Sequence, residues 1–318
     1  MTVDRPIVIV GLPRSGTTWT LRALGHAERV IDILEPDNED KQPTAISAKH
    51  RVGRYPVLRP GQESLDYRRL WEWIFAGAPE GRRSLLARRM LGPGFVNRIH
   101  DGRFDPVARL AGAIAGRPPP STGAISAERR RVVAKSIHAQ LSVEWLADEF
   151  DIDVVLLLRH PANVLASWLE LNLKDSRNTT LENSAAIRAR YLEPWGVPPP
   201  GPEPIERMSW RIALLTAVIE DASTRHPDWL VRVHEQLCVD PAVEFKRLYD
   251  DLGLEWTPSS EEFLRTRNSP GSGFTVNRIA AEVSDSWRRR LDDRQLATVR
   301  DVVSRFPIAT WSDHDFER

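Results

Sequence analysis

The chain has 318 residues, enough to bury a substantial core as one large α/β domain or two smaller ones. Its 44 Lys+Arg balance its 44 Asp+Glu, so the footprint of a general polyanion or nucleic-acid binder is absent, and any anion must be held by a local basic cluster. A single cysteine, Cys238, excludes an internal disulfide and a multi-cysteine zinc site, and reads as a buried, inert thiol.

The first residues, "MTVDRPIVIVG", lack the apolar stretch of a signal peptide. Nowhere do about 18 apolar residues run uninterrupted, so no membrane span is expected and a cytoplasmic location is. Short β-branched runs at 7–10 (IVIV), 131–134 (RVVA), 153–158 (DVVLLL) and 229–233 (WLVRV) suit buried strands of a parallel sheet, whose two covered faces leave no polar alternation. Helical spacing follows over 17–25, 141–149, 161–171 and 241–252. Strand then helix, repeated, predicts right-handed βαβ units in an α/β, three-layer, P-loop-like fold with a central parallel sheet flanked by helices.

The rhythm breaks at 36–125 and 172–204, which read as helical and loop insertions decorating a single domain, 1–318, and carrying the acceptor side of the site. Within the first lies "YRRLWEWIF", whose Trp71, Trp73 and Phe75 either stack on a sugar or aromatic ring or pack on the core. The arginines of "GRRSLLARRM" either recognise an acidic acceptor or solvate a helix face. Three consecutive prolines in "GRPPPSTGAIS" predict an irregular loop. The second stretch ends in "LEPWGVPPPGPEP", ahead of an apolar helix over 205–222.

"GLPRSGTT" follows a strand and precedes a helix, the context in which a glycine-rich loop aims backbone N–H groups at an anion. Gly11 and Gly16 permit the tight path, Thr17 and Thr18 add hydroxyls, and the helix contributes its positive end. In a nucleotide triphosphatase a lysine after the second glycine reaches the terminal phosphates, and the next hydroxyl binds magnesium. Here Thr17 takes the lysine's place, and Arg14 is the only cation of the loop. A second element, "RHPANVLASW", puts Arg159 at a strand end and Ser167 about two turns along a helix opened by Pro161, so that the two can converge on another phosphate. The plainer alternative is an arginine capping a strand and a serine on a solvated helix face. Between these elements "VVAKSIHAQ" places Lys135 at the carboxyl end of a strand, where ligands of open α/β sheets bind, with His138 three residues on, catalytic or structural.

Together these elements resemble the sulfotransferase family, which moves a sulfuryl group from 3′-phosphoadenosine 5′-phosphosulfate (PAPS) to a hydroxyl or amine. "PRSGTTW" at 13–19 is similar to its 5′-phosphosulfate loop, and "RHPANVLAS" at 159–167 to its 3′-phosphate element. Further on, "VRVHEQLCVDPAVEFKRLYDDLGL" is similar to its Y-E-D-L segment and "SDSWRRRLDD" to its late W-[KR]…L element, so the likeness runs from residue 6 to about 306 outside the two irregular stretches.

The resemblance implies that Arg14, Ser15, Gly16, Thr17 and Thr18 hold the 5′-phosphosulfate and that Trp19 lies against the adenine. Arg159 and Ser167 then hold the 3′-phosphate, assisted by Arg278 or Arg288. It implies PAPS as donor, its desulfated product PAP, no metal, and a small-molecule or sugar acceptor rather than a nucleic acid. Sulfuryl transfer passes through a loose in-line transition state, so Arg14, with Lys135 as a second candidate, would stabilise charge on the bridging oxygen. A base must also take the acceptor's proton. Glu35, before a proline, resembles the base of carbohydrate-type sulfotransferases; His138 resembles a K-x-H histidine at the altered spacing K-x-x-H. A P-loop kinase of small molecules and a non-catalytic, nucleotide-binding member of the fold are the rival readings.

Overall fold

The computed structural model describes residues 5–77, 99–100, 103–104, 110, 114, 131–171, 180–267 and 284–317. The strands are β1 (Ile7–Gly11), β2 (Val30–Leu34), β3 (Ile99–His100), β4 (Arg103–Phe104), β5 (Arg131–Ser136), β6 (Asp153–Leu158) and β7 (Leu230–Val233). β3 and β4 pair with each other; the other five form one sheet in the order β2-β5-β1-β6-β7. β5 pairs in parallel with β1 and β2, and β6 with β7, with Ile7 opposite Val133, Leu34 opposite Lys135, and Leu158 opposite Val233. This is the central parallel sheet that the apolar runs predict. β1 is buried throughout, β5 and β6 nearly so, while β2 and β7 are half-buried along their whole length because they stand at the sheet's edges.

The described residues divide into two compact units, one within 1–10, 29–154 and 177–180, the other within 11–28, 155–176 and 181–318. In the first, α2 (Pro43–Lys49), α3 (Leu65–Phe75) and α4 (Val143–Glu149) accompany β1, β2 and β5. α3 explains the aromatic patch. Tyr67, Leu70, Trp71 and Ile74 recur at i, i+3, i+4 and i+7, the stripe of one helix face, and all are fully buried. Trp73 is buried too, so the tryptophans belong to the core.

In the second unit α1 (Thr17–Leu24) follows the glycine-rich loop, and β6 leads into α5 (Pro161–Glu170). α6 (Pro204–Arg225) packs on α5, and β7 runs directly into α7 (His234–Val239) and then α8 (Pro241–Asp251). α9 (Pro258–Arg267), α10 (Trp287–Arg290) and α11 (Asp293–Val303) complete it. Prolines open α5, α6 and α8, where a missing N–H costs nothing, and the Asp240 carboxylate caps α8 through Val243 N. Cys238 is buried, and burial pushes its thiol up to about 12, as an inert thiol requires. Among the described residues no helix is long and apolar enough to cross a membrane.

Candidate active site

The glycine-rich loop closes on itself before it offers anything to a ligand. A Cβ on Gly11 would stand 2.7 Å from both Leu157 O and Ser15 Oγ, so only glycine fits. Ser15 donates its N–H and its hydroxyl to Leu12 O at 3.1 and 2.7 Å, and its buried side chain thereby shapes the turn. Gly16 caps α1 at φ 89°, a left-handed conformation that glycine adopts without strain. Gly16 has no side chain with which to cap this helix end, and first-turn N–H groups have no partner inside their own helix, so the end suits an anion. Thr17 is buried; Thr18 and Trp19 are half-buried, with Trp19 edge-on to Phe245 at 4.8 Å and to His234 at 5.9 Å.

Arg14 and Glu35 are two of the three non-glycine residues with positive φ among the described residues, at 74° and 49°. Such backbone strain persists where the surroundings enforce it, and it gathers at functional sites. For Arg14 the surroundings are the residues that the motif at 159–167 singles out. Arg14 Nε donates to Ser167 Oγ at 2.9 Å, and Arg159 Nη1 donates to Arg14 O. Trp168 Nε1 adds a hydrogen bond to Pro13 O at 3.0 Å. Arg159 and Ser167 are both buried. The sequence suggests two anion pockets with a nucleoside between them; the structure brings their arginines and serine into one hydrogen-bonded cluster.

Two residues of this cluster escaped the sequence reading, although they are the first two after β7. His234 packs against the loop so closely that a Cβ on Gly16 would lie 2.4 Å from its Nδ1. Burial first, then the charges of Arg159 and Arg14, push its pKa well below the usual histidine range, so the imidazole is neutral. Glu235 accepts from His160 N at 3.2 Å on both oxygens and from Asn163 Nδ2 at 2.9 Å, and its Oε1 lies 3.9 Å from Arg159 Nε. Burial raises its pKa against the opposing charge of Arg159. Asn163 Oδ1 in turn accepts from the Ser286 hydroxyl and Trp287 N, both at 3.2 Å. Arg288 lies over the Trp287 ring at 4.5 Å and 3.6 Å from Asp285 Oδ1, whereas Arg290 is the arginine that reaches α5, at Ala166 O and Glu170. Arg278 lies outside the described residues.

The first unit holds a different assembly. Glu35 continues the β2–β5 ladder by one residue, its N–H donating to Lys135 O at 2.9 Å, and the two side chains form a buried ion pair. Its Oε2 also receives Lys41 Nζ at 2.7 Å and Asn38 Nδ2 at 2.8 Å. Burial works to raise the pKa of Glu35, but Lys135 and then Lys41 outweigh it and hold the carboxylate at about 2. Of these partners Lys41 is 45% exposed and Lys135 only 3%, so only the Lys41 contact opens to solvent.

Behind Glu35 lies a wholly buried polar layer. Lys49 Nζ meets Glu39 Oε1 and Asp37 O, both at 3.0 Å; Ser136 Oγ donates to Asp37 Oδ2 at 2.7 Å. His138 Nδ1 faces Glu39 Oε2 at 3.5 Å, and Tyr55 packs edge-on against the ring. Burial, then Arg54, Lys49 and Lys135, push the His138 pKa well below the usual range. Neutral and 1% exposed, this histidine is set in the protein interior. Among the described residues no group of three or more His, Cys, Asp or Glu side chains stands ready to hold a metal ion.

A family model described as "Sulfotransferase family" matches residues 6–258. Among solved structures, the chain is similar to the sulfotransferase domain from the curacin biosynthetic pathway, at 14% identity over 96% of this chain and 98% of that one, with a TM-score of 0.49. The sulfotransferase domain from the Synechococcus PCC 7002 olefin synthase is similar at 14% identity over 96% of each chain, TM-score 0.48. Retinol dehydratase in a complex with retinol and PAP is similar at 14% identity over 97% of this chain and 83% of that one, TM-score 0.42. No curated protein matches the sequence. The family match takes in most of the chain, including the loop at 13–19 and the arginine–serine element at 159–167, and the chain therefore belongs to the sulfotransferase family.

Proposed function

We propose that the protein transfers a sulfuryl group from PAPS to a hydroxyl or amine of a small-molecule or carbohydrate acceptor, without a metal. The observation that carries this reading is the joining of Arg14, Arg159 and Ser167 by hydrogen bonds across more than 140 positions of sequence, beside the helix start at Gly16. A donor with phosphates on both ends of its ribose needs such a cluster; a triphosphate needs the lysine that Thr17 replaces. Arg14, Thr17, Thr18 and the N–H groups around Gly16 would hold the 5′-phosphosulfate, with Ser15 shaping the loop. Arg159 and Ser167 would hold the 3′-phosphate. Arg14, bonded to Ser167, would stabilise the charge that grows on the bridging oxygen as the S–O bond breaks.

Glu35 is the base in this reading. His138 is shut in by Glu39 and Tyr55, whereas Glu35 borders the exposed Lys41. A carboxylate held at about 2 is a weak base, and displacing Lys41 removes one of its two cations, raising basicity as the acceptor hydroxyl arrives. Lys135 would keep Glu35 oriented throughout. The segments 36–125 and 172–204 are assigned to the acceptor side.

The test is equilibrium binding of PAP and of ADP, with and without magnesium, followed by transfer from labelled PAPS to a panel of alcohols, phenols, sugars and amines. Magnesium-independent PAP binding far tighter than ADP binding, with label transferred, is expected. Magnesium-dependent ADP binding would favour the kinase reading, and PAP binding without transfer to any acceptor the non-catalytic one.

A further inference from the structure

We propose that Glu235 is the positioning residue that sets selectivity for a donor bearing a 3′-phosphate, by fixing the Arg159 guanidinium in one orientation. The inference rests on the PAPS reading above and concerns a residue that the phosphate motifs do not include.

A carboxylate beside a phosphate-binding arginine repels the very ligand the arginine is there to attract, so its presence needs a reason. Its geometry supplies one. Glu235 is itself immobilised by His160 N and Asn163 Nδ2, and Asn163 is anchored to Ser286 and Trp287. From that fixed position its Oε1 faces the Nε edge of Arg159 at 3.9 Å, while Arg14 O accepts from Nη1 on another edge. The guanidinium is a rigid planar fork, and a hydrogen bond on one edge with a fixed carboxylate facing another favours one orientation of its plane. An arginine already oriented loses less side-chain freedom when a phosphate docks, and it rewards only a phosphate at the matching place. Glu235 thus acts through Arg159 and need not touch the donor.

The test is calorimetric titration of wild type, Glu235→Ala, Glu235→Asp and Glu235→Gln with two probes, PAP and 5′-AMP, which lacks the 3′-phosphate. Wild type is expected to prefer PAP strongly. Alanine, which removes the carboxylate, and aspartate, which retracts it, should lower the PAP/AMP affinity ratio by about tenfold, the scale of taking one polar neighbour away from a buried charged group. Glutamine keeps the acceptor oxygen for Asn163 and His160, and should hold the ratio within about threefold. A purely structural Glu235 would weaken both probes together and leave the ratio unchanged, which overturns the proposal, as does an equal collapse of the ratio in the glutamine variant. If alanine does not fold, aspartate decides alone. A wild type that binds PAP no better than AMP removes the PAPS reading and this inference with it, whereas a strong wild-type preference that survives every substitution removes the inference only.

Discussion

Arg14 and Arg159 are joined through Ser167 and the Arg14 carbonyl, with Glu235 facing Arg159, whereas around Glu35 the acids are answered locally. Glu35, Glu39 and Asp40 each have a lysine or arginine nitrogen within 3.0 Å. The first cluster gains from an incoming polyanion; the second gains nothing from one, and holds a carboxylate charged in a buried setting. Removing a buried partner such as Lys135 or Lys49 leaves an uncompensated buried charge, at a cost of about 3–5 kcal/mol, so the interior of that cluster is expected to resist change. In the proposed mechanism the first cluster receives the donor and the second handles the acceptor's proton.

The sharpest way to break that contrast is to cross the two functions. Arg159→Ala should weaken PAP binding about a hundredfold, on the order of 3 kcal/mol for a lost charge-assisted phosphate contact, as measured by calorimetry. Glu35→Gln should leave PAP affinity within about threefold and lower the transfer rate by about 10²–10⁴, the usual contribution of a general base. If Glu35→Gln loses PAP affinity as severely as Arg159→Ala does, the two clusters are not separable. Full turnover in Glu35→Gln combined with loss in His138→Ala would move the base to His138.

The same contrast explains what the sequence reveals. β1, β5 and β6 are legible because buried parallel strands read as unbroken apolar runs, and Pro161 marks the start of α5 correctly. The loop at 13–19 and the arginine–serine element at 159–167 are legible because loop, strand end and helix start lie close in sequence. His234 and Glu235 are not, since their meaning comes from contacts with Gly16, Arg159 and Asn163, at separations of about 70 positions or more. The available signals were their position at the end of a strand, where ligands of such sheets bind, and their place in the segment similar to the family's Y-E-D-L element. The stripe of α3 was within reach: Tyr67, Leu70, Trp71 and Ile74 carry the helical period, and burial bears out the core packing that was one of the two readings open for its tryptophans. The ion-pair layer behind Glu35 has no sequence signature, because nothing in "EPDNEDK" distinguishes paired buried acids from an exposed acidic loop.

A smaller effect is expected at the join between loop and imidazole. Gly16→Ala forces a Cβ into a backbone with φ 89° and to within 2.4 Å of His234 Nδ1. PAP binding should weaken by about tenfold, from backbone strain on the order of 1–2 kcal/mol together with the clash. Adding His234→Ala removes the clash and keeps the strain, so the double variant should recover part of the affinity. No recovery would mean that His234 does not limit the loop.

The smallest effect belongs to Lys41, and it tests whether the acid cluster is adjustable. Lys41→Met removes the exposed one of the two cations that hold Glu35 at about 2, so the Glu35 pKa should rise. With Glu35 as the proposed base its ionised form is the active one, and a higher pKa means that activity is lost at a higher pH on acidification. The acid limb of kcat/KM should therefore move upward by a fraction of a unit to about one unit, Lys41 being substantially solvated. Stability should follow the same sign. A depressed carboxylate pKa contributes stability that is present above its ordinary value near 4.5 and fades as pH falls toward 2. Acid unfolding of Lys41→Met should accordingly begin at a higher pH than that of wild type, while PAP affinity at neutral pH stays the same. An acid limb that does not move would show that Lys135 alone sets the charge of Glu35, and that the lysine facing solvent takes no part in releasing the base.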